Sequence, residues 1–270
     1  MYEIKETVFR SERHRRQINE DRAFCMNCDG APDMKAKMSI LAVLDGVSNS
    51  NGGQAAQMAS CAMRPVLAEL LGSAEELVLL DDESREGEIH RCMCNAIRAA
   101  DRALRKAQSP GVEYGTTATL AVVFDDAIYT ANVGDSPAYL IRVALNGAAA
   151  DPVSLFECHN KAGELVRRGL MTEDAALTHG WRNSLMRMIG GDGLSDGDIY
   201  TTRVWIGQSD ILLLGSDGAL SVLTQSEMVE MVNHNIRRGL KGFITDLYEA
   251  VQDSDSDDNF TVLAQWVQLE

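Results

Sequence analysis

Residues 38–46 read MSILAVLDG and residues 47–56 continue VSNSNGGQAA. A short apolar run that ends in Asp45-Gly46 reads as a buried strand delivering a carboxylate to a turn. The period then changes to that of a helix. Ala55, Met58, Ala59, Ala62, Met63, Val66, Leu67 and Leu70 share one face of a helix expected over about 53–71. Pro65 lies inside that pattern and is expected to kink or interrupt it, because it lacks the N–H a helix interior needs.

Working outward, a second amphipathic helix is expected over about 88–107, with Ile89, Met93, Ala96, Ile97, Ala100 and Leu104 on its apolar face. The acidic stretch between the two helices reads as a surface excursion with a short helix of its own. Residues 116–124, 127–133 and 138–144 are β-rich, the first two joined by Asp125-Asp126 in a spacing that suits a tight hairpin. Asn146-Gly147 marks another turn before a strand at 153–157. Two short helices follow, one stopped by Gly169 and one N-capped by Thr172, then the glycine- and aspartate-rich loop GGDGLSDGD (190–198). Strands at 199–206 and 211–214 lead into Ser216-Asp217-Gly218. Thr224 and Glu227 form a capping box for a helix to about 235, a further helix ends near 251, and a last strand covers 260–267. There is no linker-like shift in composition and no internal repeat, so residues 1–270 read as one domain. Hairpin-connected strands and paired helices point to sheet layers covered by helices, not to a parallel βαβ series.

Charge narrows the partners. The 270 residues carry a formal net charge of −15, which argues against nucleic acid or an anionic membrane surface as the main partner. The N-terminus, MYEIKETVFRSERHRR, is charged from its third residue and lacks the apolar core of a signal peptide. No apolar run approaches bilayer-spanning length. A cytoplasmic setting is expected, with the six cysteines reduced. Cys25/Cys28 and Cys92/Cys94 lack the second hook a structural zinc site needs, and read as buried or incidental thiols. An acidic protein that handles anionic substrates needs cations to do so.

Four carboxylates sit at strand ends or turns: Asp21, Asp45, Asp217 and Asp258. Carboxylates gathered at a sheet edge suit Mn²⁺ or Mg²⁺, which prefer oxygen ligands and keep several waters. Each dipeptide taken alone also fits an ordinary turn.

The ordered set goes further. RQINED (16–21), LAVLDGVSNSNGGQAA (41–56), GTTATLAVVF (115–124), TANVGDSPAYL (130–140), LLLGSDG (212–218) and DDNFTVL (257–263) resemble, in order, the signature segments of the type-2C (PPM) metal-dependent serine/threonine protein phosphatases. Residues 164–192 resemble the mobile flap of the bacterial branch, giving a flap subregion at 160–197. The resemblance implies an α+β fold, a four-layer α-β-β-α sandwich of two antiparallel sheets flanked by helix pairs. It implies that Asp45 bridges two metal ions, that the Gly46 carbonyl ligates one, and that Asp217 and Asp258 complete the ligand set of the second ion. Glu20 and Asp21 would hold metal-bound waters, Arg16 would grip the substrate phosphate, and a hydroxide shared by the metals would attack phosphorus. Asp135 would contribute to an accessory third metal site.

Four positions depart from the family pattern. Val47 replaces the common His or Met after Asp-Gly, Pro137 stands in Gly134-Asp135-Ser136-Pro137 where Arg is usual, and Cys158-His159 replaces the common Asp-His. Ser221 occupies the position of an accessory-site aspartate, so a third ion is expected to bind weakly. His159 and His179 read as turn or flap-packing residues. The implied partners are a phosphoprotein substrate and an opposing serine/threonine kinase, with the chain a monomer. The alternative is a catalytically weak relative serving as a phosphoprotein-binding scaffold. A third reading, hydrolysis of small phosphate esters, would use the same site.

Overall fold

A computed structural model describes residues 2–28, 36–48, 50–195 and 197–269. Asn49 and Asp196, which fall within the loops quoted above, lie outside the described residues.

Among the described residues, ten strands form two five-stranded sheets in which every pairing is antiparallel. One sheet has the order β2 (Arg22–Cys28), β3 (Met38–Leu44), β4 (Ala118–Phe124), β5 (Ala127–Val133), β8 (Tyr200–Trp205). The other has β1 (Tyr2–Glu12), β10 (Phe260–Leu269), β9 (Ser209–Gly215), β6 (Ala138–Arg142), β7 (Val153–Ser154).

MSILAVL is buried along its whole length because it lies in a middle layer with both faces covered. Ile40, Ala42 and Leu44 pack toward α1 (Gly52–Gly72), α2 (Ala74–Leu77) and α3 (Asp82–Ala107), in a cluster with Met63, Met93 and Ile97. Leu41 and Val43 point the other way, meeting Leu212, Leu214 and Leu263 between the sheets. A third cluster joins the outer face of the second sheet, through Ile211, Leu213 and Val262, to α6 (Asp217–Leu220), α7 (Gln225–Asn235) and α8 (Gly239–Asp253). The layers are therefore helix, sheet, sheet, helix, as the resemblance implied. Two short helices, α4 (Lys161–Arg167) and α5 (Glu173–Leu177), stand in the flap region.

Several local expectations need correction. Helix α1 runs through Pro65 without interruption. Pro65 and Cys61, whose carbonyl loses its partner to the missing N–H, are both exposed, so water takes up the unpaired oxygen. Helix α3 starts well before residue 88, because the Asp81 side chain accepts the Ser84 N–H and caps the acidic stretch. The strand expected at 153–157 is only two residues long. The first two strands carried no strand signal in the chain itself. In β1 the alternation of Glu3, Lys5 and other polar residues with half-buried ones looks like a charged tail until β10 pairs with it from Tyr2↔Leu269 to Glu12↔Phe260.

Candidate active site

Asp45 leaves the end of β3, and its backbone is held by the threonine pair that opens GTTATL. Its N–H donates to Thr117 Oγ1 at 3.0 Å, while its carbonyl accepts from the Thr117 N–H and the Thr116 hydroxyl, both at 2.8 Å. Gly46 then passes so close to Gly52 that a Cβ on it would lie 2.3 Å from the Gly52 carbonyl carbon. The turn after Asp45 thus requires glycine for space, and the start of α1 is clamped beneath it.

Asp217 is the first residue of α6, and Gly218 is pressed against the Asn259 carbonyl, where a Cβ would stand at 2.2 Å. That contact brings the SDG turn against the Asp258-Asn259 turn that precedes β10. Asp135 lies in the β5–β6 connection and accepts a 3.1 Å hydrogen bond from Asn160 Nδ2. Asp21 precedes β2, is 2 % exposed, and has neither carboxylate oxygen hydrogen-bonded. Glu20 reaches the N-terminus of α1, accepting from the Gly53 N–H at 3.4 Å. Arg16 lies half-exposed with Nη2 3.3 Å from Asp258 Oδ2 and 3.8 Å from Asp257 Oδ1; its Nε donates to the Asp257 carbonyl at 3.2 Å.

These groups share one electrostatic problem. Burial pushes Asp45 well above the ordinary carboxylate range, and Asp21, Asp217, Asp258 and Asp135 push it further. Burial raises Asp135 to about 7, with Asp217 adding to the effect. Asp21 is also raised to about 7, by burial first; the Thr261 and Ser216 hydroxyls nearby soften this without making good hydrogen bonds to it. Asp217 is raised by burial and by Asp258, an effect that the neighbouring Asp45 side chain softens. Among the described residues no three His, Cys, Asp or Glu side chains already form a finished metal cage. Even so, five converging carboxylates, one with both oxygens orphaned in the interior, are a donor set that divalent cations satisfy and nothing else nearby does. The residues fit a hard-cation centre.

The comparisons with known proteins agree. The family model described as Protein phosphatase 2C matches residues 6–154, more than half of the chain. This chain belongs to the protein phosphatase 2C family. It is a metal-dependent protein serine/threonine phosphatase. Along its length it is 29% identical over 263 residues to serine/threonine phosphatase stp of Listeria innocua, covering 94% of this chain and 93% of that one. Its fold matches serine/threonine phosphatase Stp1 from Staphylococcus aureus with a TM-score of 0.72, at 24% identity over 98% of this chain and 95% of the other. It also matches the catalytic domain of the serine/threonine protein phosphatase PstP in complex with two manganese ions, with a TM-score of 0.69, 21% identity and full coverage of both chains.

Within this phosphatase, two site-building residues escaped sequence reasoning. Asn259 accepts the Glu20 N–H at 2.8 Å and donates to the carbonyls of Ile18 at 2.9 Å and Arg13 at 3.1 Å, so one buried amide shapes the loop that carries Arg16 and Glu20. Asn160 caps α4 by accepting the Gly163 N–H, and the same side chain holds Asp135. Asn259 falls inside the quoted DDNF segment and Asn160 at a helix N-cap, but neither position reveals its distant partner. The histidines serve structure: His159 Nδ1 accepts the Gly134 N–H at 3.1 Å, and burial holds its pKa down to about 4. His179 accepts the Trp181 N–H and meets that ring edge-on.

Proposed function

We propose that the chain hydrolyses phosphoserine and phosphothreonine in proteins at this aspartate centre, with Asp45, the Gly46 carbonyl, Asp217 and Asp258 holding two Mn²⁺ or Mg²⁺ ions. The observation that carries the reading is the mutual elevation of Asp45, Asp21, Asp135 and Asp217, together with the orphaned Asp21 carboxylate. Divalent cations bound there would supply Lewis acidity, polarising the phosphoryl group and bringing the loss of a water proton toward neutral pH.

The chain's own residues do the rest. Asp21 and Glu20 would accept hydrogen bonds from waters brought in with the cations. Arg16 turns its planar guanidinium from Asp258 to the phosphoryl oxygens, which a fork of N–H donors matches well. The Thr116 and Thr117 contacts keep Asp45 in place during that exchange. Val47 has no acidic proton to give, so water would protonate the leaving alkoxide.

Ser221 borders the same cavity as Asp135 and Asp217. A hydroxyl is a poorer ligand than a carboxylate for a hard cation, so a third ion beside Asp135 binds weakly. The opposing partner is a serine/threonine kinase, and the chain works as a monomer in the cytoplasm. Among the described residues no helix is long and apolar enough to cross a membrane.

The test is release of p-nitrophenol from p-nitrophenyl phosphate, and of phosphate from a phosphothreonine peptide. We expect both to cease in EDTA and to return with Mn²⁺. Sustained turnover in the chelator would end the metal reading.

A further inference from the structure

A cavity bordered by Asp135, Asp217 and Asp258 extends beyond them. Its volume is about 320 Å³, and it runs from Arg16, Asp135, Asp217 and Asp258 to a wall beneath the flap. Part of that wall is apolar. Tyr139 of β6 and Phe156 meet edge to face with ring centroids 5.6 Å apart. Val166 of α4, Leu177 of α5 and Val222 complete it, all three left half-buried. Tyr139 is almost wholly buried, hydroxyl-bearing ring included. Burial raises that hydroxyl above its ordinary pKa, with Glu173 of the flap adding to the effect. The flap cations that border the cavity are already engaged: Arg167 pairs with Glu164, and Arg182 donates to the Leu177 carbonyl at 2.8 Å.

We propose that this extension is a specificity subsite that receives one bulky apolar side chain, of the leucine or phenylalanine class, within three residues of the phosphorylated serine or threonine. The proposal rests on the aspartate centre being where the phosphate is hydrolysed. Continuity supports the occupant, since a peptide whose phosphate meets Arg16 and Asp217 must pass its neighbouring residues along the same cavity. Three residues of extended chain reach about 10 Å. Size supports it as well: the whole cavity, its aspartate end included, lies at the lower end of the roughly 300–1,000 Å³ of ligand pockets, enough for a phosphate and one side chain and far too small for a folded surface. Charge sets the selectivity at the mouth, where exposed Asp255 and Asp257 oppose an acidic neighbour.

The experiment is a panel of phosphothreonine peptides in Mn²⁺, with Gly, Leu, Phe, Lys or Glu at each of the three positions on either side, read as kcat/KM for phosphate release. Leu or Phe at one of these positions should exceed Gly there by about tenfold, the scale of burying one such side chain, and Glu should fall below Gly. Val166→Asp and Leu177→Asp should each abolish the apolar preference, with circular dichroism checking the fold. A flat profile with p-nitrophenyl phosphate still hydrolysed would overturn the subsite and leave the metal centre standing. An apolar preference that survives both substitutions would overturn its assignment to this cavity. Loss of every activity in the unmodified protein would remove the centre, and the subsite with it.

Discussion

The aspartate centre and the flap beside it are built on opposite principles. At the centre, the segments that carry the carboxylates are held by bonds to residues well separated along the chain: the Asp45 backbone by Thr116 and Thr117, the Asp135 side chain by Asn160, and the Arg16–Glu20 loop by Asn259. In the flap, most of the bonds are local. Glu164 pairs with Arg167 and Arg168 one turn away, Thr172 caps α5, and Leu170, Trp181 and Met186 stand exposed. Strand ends locked by distant partners give carboxylates a fixed geometry, which a cation centre needs. Short helices with local bonds and few buried contacts open at low cost, which suits a surface that must admit different substrates.

That contrast can be broken first at the centre. Asp45→Asn and Asp217→Asn each remove a charge from the cation shell at almost constant volume, and should lower kcat at least about 100-fold with the circular dichroism spectrum retained. Either variant keeping more than about a tenth of wild-type turnover at saturating Mn²⁺ would remove that residue from the shell. Arg16→Ala should act more mildly. It deletes a contact that serves bound substrate and transition state alike, so KM should rise about tenfold with kcat nearly kept; an unchanged KM would exclude Arg16 from phosphate binding.

The smallest effects sharpen the comparison. Asn259→Ala leaves the Glu20 N–H and the Ile18 and Arg13 carbonyls without their partner. It should cost about 2–3 kcal/mol of stability and raise KM by loosening the Arg16 loop. Glu164→Ala in the flap removes only exposed ion pairs, and should leave both the melting temperature and p-nitrophenyl phosphate turnover where they were. Equal melting temperatures for the two variants would contradict the division between a locked centre and a locally bonded flap.

Residues that combine a local pattern with a chemical requirement were readable in the chain. MSILAVLDG announced both a buried strand and the carboxylate at its end. The capping box at Thr224 and Glu227 forms as its spacing implied. What stayed hidden depends on partners far along the chain. Strand β1 becomes a strand because β10, more than 240 residues later, covers its edge; on its own, its charged alternation looks like a solvated tail. Asn259 and Asn160 are ordinary turn and cap residues until the fold brings the Arg16 loop and Asp135 to them. The apolar wall is assembled from β6, the flap and the segment after α6, which no spacing rule connects.

The central claim is that the buried aspartates form a cation site, and equilibrium binding of Mn²⁺ to the folded, metal-stripped protein tests it most directly. Calorimetry should find two tight ions per chain and a third that binds more weakly. Ser221→Asp should tighten the third, and Asp45→Asn should abolish tight binding while the chain stays folded. No Mn²⁺ binding by the folded wild type, or tight binding that survives Asp45→Asn unchanged, would contradict the account.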